Sequence, residues 1–286
     1  MEKKKETENR VTEDFIMRPT VDFCFKELMQ NDQVRKAMIA AVLGRKPEEI
    51  AETKLLPTVL KTEYPDEKYG ILDVKVLLQD GTKIDLEMQV MYFAYWTERL
   101  LFYLGKMYTE QLKKGEGYED LKKCVQISIL NFKHFEKDDR CYRKIIFCDT
   151  KTGEPYTDLM EIHILELCKL PQEEQNETEI IRWMRFLGAK SRKEFEKMAE
   201  KDPYMQEAYD MLEQMSADER KRLEYEAREK AIRDYNTQMY SARKQGITDI
   251  ITVMLKKGNT AETIASMTDV SLETVKEIEK KILVTV

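Results

Sequence analysis

Apolar residues recur at every second position on both sides of the pair Asp80-Gly81. Apolar side chains occupy every second position within residues 72–78 and again within residues 84–90. Such alternation turns one face of a strand toward a core and leaves the other face polar. Two runs of this kind joined by a glycine turn predict a β-hairpin.

The register of this hairpin follows because directly opposed residues lie on the same face of the sheet. A two-residue loop would place core positions opposite polar positions. A three-residue turn with Gly81 in the left-handed conformation pairs core with core instead, so we expect that turn. The opposed pairs on the polar face are then Asp73 with Glu87, Lys75 with Asp85, and Ile71 with Gln89.

The rest of the chain divides into an α/β part and a helical part. Residues 21–43 predict one helix, and residues 94–114 predict a second that ends at Gly115. Apolar runs at 124–132, 144–148 and 161–168 predict further strands, so we expect a mixed sheet flanked by helices. From about residue 174 onward the pattern is entirely helical. The predicted division is a flexible N-terminal tail (1–14), an α/β domain (15–170), a helical region (171–245) and a small C-terminal helical hairpin (246–286).

The C-terminal hairpin superficially resembles a helix-turn-helix. Its second helix carries Glu273, Glu277 and Glu279, and acidic side chains on a recognition helix weaken contacts with DNA. We therefore expect the helix pair to serve in packing or self-association.

Composition limits the class of protein. Of 286 residues, 42% are hydrophobic, which is enough for a core and excludes a wholly disordered chain. The formal charge of -6 argues against coating nucleic acid by bulk charge but leaves room for a local basic cleft. The chain has no apolar run long enough to span a membrane and no secretory signal. Five widely spaced cysteines indicate reduced thiols in the cytoplasm.

The opposed carboxylates Asp73 and Glu87 are the first candidates for chemistry. Like charges facing each other across a sheet destabilise it, so something must offset them. A divalent cation, which prefers oxygen ligands, is one solution. The other is a solvated polar face on which Lys75 and Lys83 neutralise the acids, and spacing alone does not decide between them.

Four segments in order resemble the Rpn family of recombination-promoting nucleases and transposases, within the PD-(D/E)XK nuclease superfamily. Residues 22–26 are similar to the family's opening D-F-x-F-K, and residues 71–75 to its L-D-V-K strand. Residues 87–89 match its E-M-Q, and Arg99 and Tyr103 match the helix that follows. The resemblance covers roughly residues 19–170 and, more loosely, the charged helical tail, and it implies a restriction-endonuclease-like fold.

The resemblance also implies an Mg²⁺-dependent DNA endonuclease, with Mn²⁺ as a substitute. Asp73 and Glu87 would hold the metal with the main-chain carbonyl of Met88. Gln89 stands where the superfamily usually has lysine. Glutamine orients water or phosphate by hydrogen bonds but supplies no positive charge. We therefore consider Lys75, on the hairpin, and Lys26, in the first helix, as the cationic helper.

Two further residues have alternative interpretations. Asp22 either caps the first helix or joins the site as an accessory carboxylate. Arg99 either stacks on neighbouring aromatic rings or holds a phosphate near the metal.

Double-strand cleavage would require two sites and hence a homodimer. The rival functions are a nuclease-fold module that binds DNA or a protein without turnover, and an interaction protein assembled through its tail.

Overall fold

In a computed structural model, the described residues are 15–60, 70–92, 94–172 and 177–284. The predicted N-terminal tail, 1–14, lies outside them. The chain forms two compact units, Met1–Arg228 and Glu229–Val286.

A six-stranded mixed sheet forms the centre of the first unit, in the order β1-β2-β3-β4-β6-β5. β3, β4 and β6 run parallel, and the other neighbouring strands pair antiparallel. This architecture confirms the predicted α/β class, with flanking helices and a helical C-terminal region. The strands are β1 (Thr53–Leu56), β2 (Val74–Leu78), β3 (Lys83–Gln89), β4 (Cys124–Leu130), β5 (Tyr142–Cys148) and β6 (Pro155–Glu166).

The β2–β3 hairpin has the predicted register. Lys75 pairs with Asp85, and Val74 pairs with Leu86. Leu78 N–H donates to the carbonyl of Thr82 at 2.9 Å, which closes a three-residue turn. Gly81 in this turn has φ +86°, a conformation that favours glycine. The alternation and the glycine together therefore determined this part of the fold.

The described residues form nine α-helices, and the first corrects a prediction. The single helix expected over 21–43 is wrong, because Asn31 interrupts it. Its side chain accepts hydrogen bonds from the N–H groups of Gln33 and Val34 and so starts a second helix. The helices are α1 (Asp22–Leu28), α2 (Asp32–Leu43), α3 (Trp96–Thr109), α4 (Glu179–Gly188), α5 (Arg192–Ala199), α6 (Pro203–Ala217), α7 (Glu219–Lys256), α8 (Ala261–Thr268) and α9 (Leu272–Val284).

The two faces of the sheet pack against different helices. On one face, residues such as Val76, Ile84 and Ile127 join the main core with α1, α2, α4 and α6. On the other face, Leu130 and Ile164 pack against α3. This second face is the one on which the odd-numbered positions of β3 lie. Polar residues of the hairpin therefore lie beneath α3.

The second unit has its own small core. Ile251 of α7, Ile264 of α8 and Val275 of α9 are buried together in it. The expected C-terminal helix pair is thus present as α8 and α9. Among the helices described here, none is both long and apolar enough to cross a membrane.

Candidate active site

The two predicted carboxylates meet at one end of the hairpin. Glu87 is 2% exposed on β3, and Asp73 directly precedes β2. The N–H of Met88 donates to Asp73 Oδ2 at 3.3 Å, which ties the Asp73 side chain to the strand that carries Glu87. The hairpin register therefore brings both carboxylates to one place, as the sequence predicted.

Each of these carboxylates pairs with a basic side chain from a different helix. Lys26 Nζ of α1 lies 2.9 Å from Asp73 Oδ1. Arg99 of α3 forms an ion pair and hydrogen bond with Glu87 Oε1. Arg99 also lies over the ring of Tyr103, 5.2 Å from its centre. Both alternatives for Arg99 thus describe part of its surroundings, since it touches an aromatic ring and a site carboxylate.

Gln89 completes the group on β3. Its side-chain amide donates from Nε2 to Glu87 Oε1 at 2.9 Å. The intervening Met88 sends its side chain into the main core on the opposite face, so it offers the site only main-chain atoms. Glutamine and glutamate two positions apart on one strand therefore form a connected pair.

Asp85 belongs to this group although sequence reasoning did not select it. Its side chain is 0% exposed, and no basic side chain among the described residues pairs with either carboxylate oxygen. Burial raises the pKa of Asp85 well above its usual range, and the neighbouring Glu87 carboxylate adds to the rise. The odd-position alternation along β3 was the available signal, because it places Asp85, Glu87 and Gln89 on one face.

Glu87 is also held in an unusual electrostatic environment. Burial raises its pKa, the Arg99 guanidinium opposes that rise, and the Asp73 carboxylate adds to it. A positive charge close to Glu87 therefore stabilises its ionised form. Glu87 is thus a buried acid whose ionised form is favoured by the guanidinium of Arg99.

The sequence that contains these residues matches the model of a known protein family. The model for the PD-(D/E)XK nuclease family transposases matches residues 19–242. The chain belongs to the PD-(D/E)XK nuclease family transposases. No curated protein and no solved structure matches the chain. Family membership makes it a nuclease-type enzyme, and PD-(D/E)XK nucleases generally use divalent metal ions.

Two accessory candidates of this PD-(D/E)XK nuclease pair with residues other than the two carboxylates. Asp22 is the first residue of α1 and forms an ion pair with Arg228 at 3.3 Å. The N-cap position belongs to Val21, so Asp22 is not the cap residue. Lys75 pairs with Glu110 just beyond the end of α3. Lys26 is therefore the lysine candidate in contact with the site.

The donor chemistry of this PD-(D/E)XK nuclease fits a divalent cation. No group of three or more His, Cys, Asp or Glu side chains among residues 15–60, 70–92, 94–172 and 177–284 is arranged to hold a metal. The site instead offers Asp73, Glu87 and the main-chain carbonyl of Met88, all hard oxygen donors. Lys26 and Arg99 supply positive charge to the same two carboxylates, and the buried carboxylate of Asp85 lies beside them. The residues present therefore fit the cation that the family uses.

Proposed function

We propose that this protein is a divalent-metal-dependent DNA endonuclease that hydrolyses phosphodiester bonds at the Asp73–Glu87 site. The observation that carries the proposal is the pairing of these two opposed carboxylates with Lys26 and Arg99. Acids and bases from three elements converge there, in a chain that belongs to a nuclease family.

Asp73, Glu87 and the carbonyl of Met88 would hold Mg²⁺, with Mn²⁺ as a substitute. When bound, the cation lowers the pKa of a coordinated water and stabilises charge on the phosphate and the leaving oxygen. Gln89 orients the attacking water or a phosphate oxygen through its amide, which already donates to Glu87. Glu87 and Gln89 thus act from one rigid strand.

Lys26 supplies the positive charge that Gln89 cannot. Its ammonium lies 2.9 Å from Asp73 Oδ1 and its side chain is 40% exposed, so it has room to reach a bound phosphate. Lys75 is 6% exposed and paired with Glu110, which leaves it no comparable freedom. The lysine of the usual motif is therefore replaced by one from α1.

Arg99 serves as the phosphate contact. Its guanidinium has the planar donor arrangement that suits phosphate, and it reaches the site from the helix on the opposite side of the sheet from α1. In the structure it pairs with Glu87, and this ion pair must be exchanged when a cation and a phosphate enter.

The substrate, compartment and biological setting form part of the same proposal. We propose DNA as the substrate, a cytoplasmic location, and a role linked to recombination or mobile elements. All five cysteines are free thiols, which suits a reducing compartment. Cleavage of both strands would require two sites, which a homodimer provides.

The test is plasmid nicking. Supercoiled DNA is incubated with the full chain and Mg²⁺ or Mn²⁺, with EDTA as the metal-free control. Asp73→Asn and Glu87→Gln are expected to lower the nicking rate by about 10³-fold, because each removes a metal-binding charge. Asp158→Asn, at an exposed carboxylate that pairs with Lys123, is the matched control and should keep the native rate.

Equal nicking by the native protein and both site variants would contradict the proposal. DNA binding without cleavage, seen as a mobility shift in the presence of metal, would instead identify a nuclease-fold binding module. No binding and no cleavage would favour the interaction protein.

A further inference from the structure

Tyr95, the residue immediately before α3, has a backbone conformation that tyrosine rarely adopts. Its φ of 65° and ψ of 25° lie in the left-handed region. Every other described residue with a positive φ is a glycine or an aspartate, namely Gly44, Gly81, Gly115, Gly153, Gly258 and Asp269. Those residue types adopt the left-handed conformation more readily than tyrosine does. A tyrosine at this position therefore destabilises the folded chain relative to glycine or asparagine.

The side chain of Tyr95 contributes little to the packing that would offset this strain. It is 77% exposed, so its contacts within the described part of the chain are few. It also forms no hydrogen bond that caps the start of α3. Its neighbours differ, because Trp96 is buried in a small core and the ring of Tyr92 packs edge-on against Phe132 with 5.6 Å between ring centres. A tyrosine at position 95 thus requires a reason other than the stability of the fold.

Tyr95 lies one helical turn before Arg99, the residue that pairs with Glu87. The N–H of Arg99 donates to the carbonyl of Tyr95 at 3.1 Å, as in the first turn of a helix. Four residues of helix correspond to about 6 Å along its axis, a distance that one nucleotide can span. One turn further along α3, the ring of Tyr103 lies beneath the Arg99 guanidinium. Tyrosines therefore flank Arg99 along α3, and Tyr95 is the exposed one.

We propose that the ring of Tyr95 stacks on the base of the nucleotide whose phosphate Arg99 contacts. The proposal rests on the proposed function, in which Arg99 binds a phosphate beside the Asp73–Glu87 site. A solvent-exposed aromatic ring stacks on any of the four bases, because every base has a π face. Stacking holds that nucleotide beside the bond that is cut.

The stacked base determines which class of DNA the enzyme prefers. Within a duplex, both faces of a base are covered by its neighbours, so Tyr95 reaches a base only when that base leaves the stack. Leaving the stack costs least where the base is mismatched or already in a single strand. The preferred substrate is therefore DNA with an unpaired nucleotide beside the cut phosphate, and Tyr95 confers that preference.

Fluorescence anisotropy measures the stacking, with a labelled single strand and the duplex of the same sequence in EDTA, so that neither is cut. The native chain should bind the single strand more tightly than the duplex. Tyr95→Asn tolerates the left-handed conformation but lacks the ring, and it should weaken single-strand binding about tenfold. Its affinity for the duplex should stay within about twofold of native. Tyr95→Phe keeps the ring and should bind both DNAs as the native protein does.

Thermal unfolding and a second tyrosine separate stacking from a structural role. Tyr95→Asn should raise the midpoint of thermal unfolding by about 2–4 °C, because the strained conformation is relieved. A fall in that midpoint would show that the ring supports the fold and would overturn the proposal. Tyr118→Asn removes a tyrosine that is 84% exposed in the loop before β4, and it should leave both DNA affinities unchanged.

Cleavage in Mg²⁺ connects the stacking with the reaction. The native protein and Tyr95→Phe should cut a duplex at a mismatched pair at least about tenfold faster than a fully matched duplex. Tyr95→Asn should cut the two duplexes at similar rates. Equal cutting of both duplexes by the native protein, or a mismatch preference that Tyr95→Asn retains, would overturn the role of Tyr95. Unchanged single-strand affinity in Tyr95→Asn would overturn it as well.

Plasmid nicking keeps this proposal distinct from the proposed function. If Tyr95→Asn behaves as the native protein does, while Asp73→Asn still loses metal-dependent nicking, the stacking fails and the proposed function stands. If no DNA is cut in the presence of metal, the proposed function fails, and with it the placement of a stacked base beside a cut bond.

Discussion

Asp85 and Glu161 are both buried carboxylates in the same sheet, yet their surroundings are opposite. Both are at most 1% exposed, and the strand register places them on opposite faces. Glu161 lies 2.5 Å from His163 Nε2, 2.6 Å from Lys123 Nζ and 3.0 Å from Lys144 Nζ. No basic side chain among the described residues pairs with either carboxylate oxygen of Asp85.

The difference appears directly in their acidity. Although burial alone would raise it, hydrogen bonds with His163, Lys123 and Lys144 hold the pKa of Glu161 well below its usual range. Burial beside Glu87 moves the pKa of Asp85 in the other direction. Basic side chains of the fold thus neutralise the charge of Glu161, whereas none of them neutralises Asp85. A buried acid supplied with protein cations stabilises the fold, whereas one without them destabilises it.

The largest expected effect is the loss of unfolding free energy when Glu161 is replaced. Glu161→Gln removes the charge that three basic groups surround, and breaking such a buried pair costs about 3 kcal/mol. Urea unfolding at neutral pH measures this loss. Asp85→Asn, the corresponding change on the opposite face, should not show it. Equal losses in the two variants would remove the distinction between the two carboxylates.

Lys26 and Lys123 allow a second comparison, because each neutralises a carboxylate on a different face. Lys26→Gln should lower the plasmid nicking rate by about 10²-fold, since removal of one charge-stabilising donor from an active site has effects of that order. Lys123→Gln should leave the rate within about twofold, because it acts on Glu161. If Lys123→Gln lowered nicking as much as Lys26→Gln did, the assignment of Lys26 to the site would fail.

The sequence was sufficient for the hairpin because local rules determine it. The alternation and the left-handed Gly81 favour one register, which is the one observed between residues 74–77 and 83–86, and its extension predicts Asp73 opposite Glu87. The break at Asn31 was missed because the polar run of residues 30–33 also fits one exposed turn of a continuous helix. A single side-chain cap decides that break, and apolar periodicity does not record it.

Asp85 could not be identified from sequence for a different reason. The register offers Lys75 as its partner, and this would neutralise it. Lys75 instead bonds to Glu110, which is 35 positions away in sequence and is positioned by the packing of α3 on the sheet. The contact of Lys26 with Asp73 likewise depends on how α1 packs. The local sequence pattern predicts on which face of the sheet a side chain lies, whereas tertiary packing decides with which other side chain it pairs.

The pH dependence of the unfolding free energy should show the contribution of Glu161, on the face of the sheet opposite Asp85. Because the folded-state pKa of Glu161 is lowered, its contribution is present above its ordinary pKa and is lost as pH falls through the folded value. Between about pH 6 and about pH 3, the native protein should lose about 2 kcal/mol more than Glu161→Gln, at 1.4 kcal/mol per pKa unit. Urea unfolding at both pH values measures the difference, and parallel losses would contradict the role of the Glu161 ion pairs.

The smallest expected effect is a gain of stability. In the presence of EDTA, Asp85→Asn should raise the unfolding free energy by about 1 kcal/mol, because it replaces a buried carboxylate beside Glu87 with an amide that can donate hydrogen bonds. The midpoint of thermal unfolding should then rise by about 2–4 °C. A fall of several degrees would mean that Asp85 stabilises the fold as Glu161 does.

The most direct measurement of the central claim is the change in thermal stability that Mn²⁺ produces in the native protein and in Glu87→Gln. A cation held only by the folded chain, at about 100 times its dissociation constant, adds about 2.7 kcal/mol. The native midpoint should rise by about 5–10 °C, and Glu161→Gln should show the same rise above its own metal-free value. Glu87→Gln should show almost none, because Glu87 is a ligand of the proposed cation site. An equal rise in Glu87→Gln, or no rise in the native protein, would contradict the account.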